Sequence, residues 1–114
     1  MISEAGQITI LIVEDDEGAA ELERRAIVRA GMSVHVACCI KDALSAMSEH
    51  IFHAILLDYN LPDGDPWQIV DAADAKKPRT PVIMVTAQGN ERVAAEALRR
   101  GVADYLKKSG SFWD

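Results

Sequence analysis

The sequence predicts an α/β fold, a doubly wound parallel sheet with helices on both faces. Three observations carry that prediction. Short runs rich in β-branched and aliphatic residues alternate with helical-period stretches along the whole chain. These runs are nearly continuous in apolar residues, as strands buried on both faces are. The length, 114 residues, suits one core of ordinary size and leaves no room for a second.

The elements follow in order. Ile8 to Val13 is a β-branched strand that stops at Glu14-Asp15-Asp16-Glu17. A helix follows, with Ala19, Leu22, Ala26 and Ile27 as its apolar face and Glu21, Glu23, Arg24 and Arg25 opposite. Gly31 closes it, as glycine past a helix end does. Val34 to Cys38 is a weaker strand, and Lys41 to His50 a short helix carrying Ala43, Leu44 and Met47. Ala54 to Leu57 is a third strand, ending in Asp58. The loop Asn60 to Asp65 is dense in turn formers. Asp65 is placed to cap a third helix, with Pro66 at its first position. Pro81 to Thr86 is the fourth strand, Asn90 to Arg100 the fourth helix before Gly101, and Ala103 to Lys107 the fifth strand.

Composition narrows the function classes. Twelve Lys+Arg against eighteen Asp+Glu give a net charge of −6. This chain therefore lacks the basic face that nucleic acid or an anionic membrane wants. Aromatics supply only 5% against a hydrophobic share of 49%, so the core is aliphatic. The polar stretch Met1 to Gln7 is not a signal peptide, and no apolar run is long enough to span a bilayer. The expected location is the cytoplasm. Cys38 and Cys39 are adjacent, which suits neither a disulfide frame nor any familiar metal spacing, and they read as small strand residues. His35, His50 and His53 have no carboxylate or cysteine spacing that would make them ligands.

In parallel sheets, sites form beyond the carboxyl ends of the strands. Here those ends carry Glu14-Asp15, Asp58, Thr86 and Lys107-Lys108. Converging carboxylates repel one another unless a cation lies between them, and hard oxygen ligands of this kind suit Mg²⁺. A carboxylate beside such a metal can act as nucleophile and form an aspartyl phosphate. Phosphoryl transfer asks for a metal, a cationic side chain and a hydroxyl donor around the phosphoryl oxygens. The strand ends supply residues for each.

Four separated motifs, Glu14-Asp15, Asp58-Tyr59-Asn60-Leu61-Pro62-Asp63-Gly64, Thr86-Ala87 and Tyr105-Leu106-Lys107-Lys108, stand in order over most of the chain. With them the sequence resembles the receiver domain of two-component response regulators. The resemblance implies a flavodoxin-like sheet of strand order 2-1-3-4-5. It makes Asp58 the phospho-acceptor, served by a sensor histidine kinase or a histidine phosphotransfer protein. Asp15 and Asp58 would bind Mg²⁺, with the Asn60 backbone carbonyl as a further ligand and Glu14 holding the metal's waters. Thr86 would bond a phosphoryl oxygen and Lys108 another. Lys108 is preferred to Lys107 because the family lysine stands three residues after an aromatic. Thr86 and Tyr105 would form the conformational switch. Ser109 stands where the family usually has proline, and Gln88 is placed to influence the lifetime of the phosphoryl group. The slim start of the first helix, Gly18-Ala19-Ala20, would leave room for a kinase histidine to approach.

The same resemblance implies a fifth helix after the lysine, which Gly110 to Asp114 is too short to form. Residues 1–114 then read as one receiver domain truncated at its C-terminus, with an effector domain possible in the full-length protein. An apolar strip along the outer strands would be left for self-association. Other readings are a receiver-like docking module that is never phosphorylated and an aspartyl-phosphate phosphohydrolase. Phosphohydrolases usually carry a second acid two residues after the nucleophile, where Asn60 stands here. A flavin module would want a hydroxyl- and glycine-rich loop after the first strand, where acids stand. Phosphoryl acceptance is a self-catalysed half-reaction, so the expectation is not an enzyme in the turnover sense.

Overall fold

The structure is a computed structural model that describes residues 8–87 and 91–108. Its elements are β1 (Thr9–Val13), α1 (Glu17–Arg29), β2 (Ser33–Ala37), α2 (Ile40–Glu49), β3 (Ala54–Asp58), α3 (Trp67–Asp74), β4 (Val82–Thr86), α4 (Glu91–Arg99) and β5 (Asp104–Lys107). The five strands form one parallel sheet in the order β2-β1-β3-β4-β5. The expected architecture and strand order are those observed. Four helices occur among the described residues. The segment 109–114, on which the expected lack of a fifth helix turned, lies outside the described residues, as do Gln88 and Ser109.

Strand parity divides the core. Leu11 and Val13 of β1, Ile55 and Leu57 of β3 and Met84 of β4 face one side, where they meet Ala43 and Met47 of α2 and Ile69, Val70 and Ala73 of α3. Ile12, Leu56 and Val85 face the other side, with Ile27 of α1 against them. The central strands are thus apolar on both faces, which is why their sequences show no alternation. β2, at the sheet edge, is half exposed, which explains its weaker pattern. On the α1 side lies a cavity of about 250 Å³ with an apolar lining that includes Ile10, Ile27, Met32, Leu56, Ile83 and Leu106. No helix among the described residues is long and apolar enough to cross a membrane.

The apolar face expected for α1 is corrected by the structure. Ala20 and Glu23 are its buried residues, whereas Leu22 is 50% exposed. The inner line runs Ala20, Glu23, Ile27, a spacing of three and four, so an acid occupies a core position. Counting apolar residues placed Glu23 outside, because nothing local to the helix shows what waits beneath that turn.

Helix ends follow their sequence signals. The Asp16 side chain caps α1 by accepting from the Gly18 and Ala19 amides at 2.9 and 3.3 Å. Pro66 already has helical angles, and Asp65 accepts the Trp67 amide at 2.9 Å, so Asp65 caps α3 as expected. Asp63 reaches back across the fold to accept the Ile40 and Lys41 amides at 2.9 and 3.1 Å, which holds its carboxyl below the usual range. His53 Nδ1 accepts the Thr9 amide at 3.0 Å, a structural role. Trp67 lies edge-on to Tyr59 and under the Arg100 guanidinium, 4.7 Å from its ring centre. It serves as packing between α3 and the end of α4.

α1 and α4 both end in a Schellman motif. Gly31 and Gly101 adopt φ of 92° and 90°. Their amides bond to Val28 and Leu98, and the next amides, Met32 and Val102, bond to Ile27 and Ala97. A Cβ on Gly31 would meet nothing within 4 Å, so replacement there costs backbone strain alone. Gly31→Ala is expected to lower stability by about 1 kcal/mol, read as a shift in the urea midpoint with an unchanged slope.

Candidate functional site: an acidic pocket at the carboxyl end of the sheet

Hydrogen bonds of the sheet continue past the strand ends and fix the residues found there. The Glu14 amide bonds to Ala37 O at 3.0 Å, Tyr59 to Val85 O at 3.2 Å and Lys108 to Thr86 O at 2.8 Å. These bonds lock the chain on either side of the acids at a depth where water is largely excluded. Glu14 is 3% exposed, Asp58 6% and Thr86 0%. Asp15 is exposed. Carboxylate oxygens of Glu14, Asp15 and Asp58 all lie within 4.8 Å of one another.

Lys108 is the counter-charge. Its ammonium bonds to Glu14 Oε1, and Asp58 Oδ2 stands 3.9 Å away. Burial works against its charge, but the Glu14 hydrogen bond and the Asp58 carboxylate outweigh it and hold the lysine above its ordinary value. Lys107, the neighbour on the strand, is exposed. Glu14 also accepts the Asp16 amide at 3.2 Å. The Asn60 amide donates to Asp58 Oδ1 at 3.3 Å, which sets the backbone of Asn60 beside the acid. The Asn60 side chain donates to Thr86 Oγ1 at 3.2 Å. Tyr105 pairs with Met84 in the sheet and packs, half-buried, against the main core cluster.

The charge balance leaves Asp58 poorly neutralised. Burial first, and then the neighbouring Glu14, push its carboxyl up to about 7. Such a group gains from any cation placed beside it. Hard oxygen donors at this separation fit a magnesium-class ion, which takes few protein carboxylates and keeps several waters.

Comparisons with known proteins identify the family and the fold. The family model for the response regulator receiver domain matches residues 10–112. The chain belongs to the response regulator receiver domains. It is 34% identical over 97 residues to the regulatory protein LuxO of Vibrio vulnificus, covering 85% of this chain and 21% of that protein. It is 34% identical over 103 residues to the transcriptional regulatory protein PcoR of Escherichia coli, covering 90% of this chain and 46% of that protein. This receiver thus spans about a fifth to a half of the length of those relatives. A CheY-like receiver domain protein from Methanospirillum hungatei superposes with a TM-score of 0.81 at 25% identity, covering 90% of this chain and 82% of that one. The receiver domain of a LuxO-type repressor from Vibrio parahaemolyticus gives 0.82 at 25%, covering 90% and 78%.

Sequence reasoning missed Glu23. It lies fully buried on the inner face of α1, and burial, reinforced by Glu14, pushes it up to about 8. The signal available was its spacing of three from Ala20 and four from Ile27; its charge argued the other way. Glu23 and Asp58 both hold their protons to higher pH in the folded receiver than their ordinary values of 4.5 and 3.8. Their contribution to stability is therefore full at acidic pH and declines as pH rises from about 4 through about 8. In chelator-containing buffer, unfolding free energy is expected to fall across that window. Glu23→Leu should flatten much of the slope and raise stability at pH 8 by about 1–3 kcal/mol. A flat wild-type profile would contradict the burial of these acids.

Proposed function

We propose that this receiver accepts a phosphoryl group on Asp58 from the phosphohistidine of a sensor kinase or a histidine phosphotransfer protein. The observation that carries this reading is the convergence on Asp58 of two further carboxylates and one ammonium at the end of a buried strand. In the step, an Asp58 oxygen bonds to phosphorus while the bond from phosphorus to the donor imidazole nitrogen breaks. The imidazole leaves with that electron pair and is reprotonated. Asp15, Asp58 and the Asn60 carbonyl would hold Mg²⁺, with Glu14 on its waters, and the ion would neutralise charge on the phosphoryl oxygens.

The chain's own residues orient the reaction. Lys108, already in reach of Asp58, pairs with a phosphoryl oxygen as charge moves onto it. Thr86 gives up its contact with Asn60 and donates its hydroxyl to another oxygen. The backbone shift that accompanies this gives Tyr105 room to turn inward, which changes the surface of α4 and β5. The slim turn Gly18-Ala19-Ala20 is where the donor histidine approaches. The product leaves only by slow hydrolysis, since Asn60 stands where a turnover enzyme would need an acid. The receiver therefore works as a phosphorelay switch in the cytoplasm, on an effector that in the longer relatives belongs to the same chain. The apolar cavity between α1 and β5 supports self-association through that face.

Incubation with a small phosphodonor and Mg²⁺ is expected to add the mass of one phosphoryl group. The gain should vanish in Asp58→Asn and when Mg²⁺ is chelated. No gain under any condition would leave the docking-module reading instead. Phosphorylation should also shift ring resonances of Tyr105 and amide resonances of α4, and Thr86→Ala should abolish those shifts while leaving the mass gain in place. Unchanged spectra in the phosphorylated wild type would exclude the switch.

A further inference from the structure

A second cluster of ligating side chains lies at the start of α2, outside the acidic pocket. From sequence, Cys38 and Cys39 read as strand residues without metal-ligand spacing. The structure corrects the strand assignment, because β2 ends at Ala37 and Cys39 takes the cap position of α2 with extended angles of −157° and 170°. Asp42 is then the third helical residue. At a helix start, the side chains of the cap and of that third residue face each other. Cys38, Cys39 and Asp42 accordingly bring two sulfurs and a carboxylate oxygen within 4.8 Å of one another. The Cys38 thiol donates to Asp42 Oδ2 at 3.3 Å.

We propose that Cys38, Cys39 and Asp42 bind one thiophilic divalent cation of the zinc class. A tetrahedral zinc ion with sulfur at about 2.3 Å and oxygen at about 2.0 Å has sulfur–oxygen edges of roughly 3.5 Å. The observed Cys38–Asp42 separation of 3.3 Å is close to that edge. Cys38 and Asp42 are exposed and Cys39 half-buried, so an ion enters from solvent and a water completes four ligands. On binding, both thiols release their protons to solvent and the sulfurs become thiolates. The proton that Asp42 now shares with Cys38 is replaced by the metal. Soft thiolates select against magnesium, which separates this site chemically from the acidic pocket. The turn is already formed without an ion, because Asp63 holds the Ile40 and Lys41 amides from across the fold.

The test is titration of the reduced protein with Co²⁺ in excess Mg²⁺, followed by displacement with Zn²⁺. The expected result is a thiolate-to-cobalt charge-transfer band that saturates at one metal per chain and is lost on adding Zn²⁺. Cys38→Ser, Cys39→Ser and Asp42→Asn should each weaken binding by at least about tenfold. Serine is a good cap, so Cys39→Ser keeps the helix start, and circular dichroism checks that each variant is folded. Absence of the band in the wild type overturns the proposal. So does saturation at one metal per two chains, or an Asp42→Asn variant that binds as tightly as the wild type. None of these readouts depends on phosphorylation of Asp58, so failure here leaves the phosphorelay reading standing, and the converse also holds.

Discussion

Mutual repulsion among Glu14, Asp15 and Asp58 is the constraint on which this structure turns. Three carboxylates whose oxygens lie within 4.8 Å would separate if their backbones were free to move. They stay together because β1 and β3 are adjacent strands of a sheet buried on both faces, and moving them apart would break that core. One lysine ammonium lies among them and leaves the pocket short of positive charge. The fold therefore holds a charge arrangement that favours a cation.

Parallel pairing does the positioning. The candidate side chains stand at or within two residues of the ends of four strands: Glu14 and Asp15 after β1, Asp58 and Thr86 at the ends of β3 and β4, and Lys108 after β5. The bonds Glu14 to Ala37, Tyr59 to Val85 and Lys108 to Thr86 carry the ladder into the site. Strand parity then decides which neighbour faces in. Lys108 reaches Glu14 while Lys107 is exposed, and a slip of one residue in β5 would exchange them. The loop after β3 is tied down in its turn, since Asn60 bonds to both Asp58 and Thr86. It also bonds to the start of α2 through Asp63. The acidic pocket and the cysteine cluster thus share one end of the sheet and one connecting loop.

Glu23 shows the cost of building such a pocket beside a helix. The inner face of α1 passes beneath the acids, and the residue at that turn is itself an acid with almost no access to water. Burial and the nearby Glu14 both favour the neutral form of its carboxyl, and the ionised form adds to the repulsion. Charge at the site and stability of the fold are therefore coupled through one buried side chain.

The sequence by itself determined the element order, the parallel sheet, the helix ends at Gly31, Asp65 and Gly101, and the strand ends that carry Glu14-Asp15, Asp58, Thr86 and Lys107-Lys108. Those are local properties: apolar runs, periodicity and turn residues act within a few positions of one another. Tertiary structure alone decided the rest. The burial of Glu23 and exposure of Leu22 depend on which side of α1 meets the sheet, and the hydrophobic count along one helix does not contain that information. Asp63, read as a turn former, caps a helix more than twenty residues away. Cys38 and Cys39 looked like strand residues until the strand ended before them and the helix cap turned Asp42 toward their sulfurs. In each case the deciding contact joins residues whose proximity is set by packing and backbone direction, not by order along the chain.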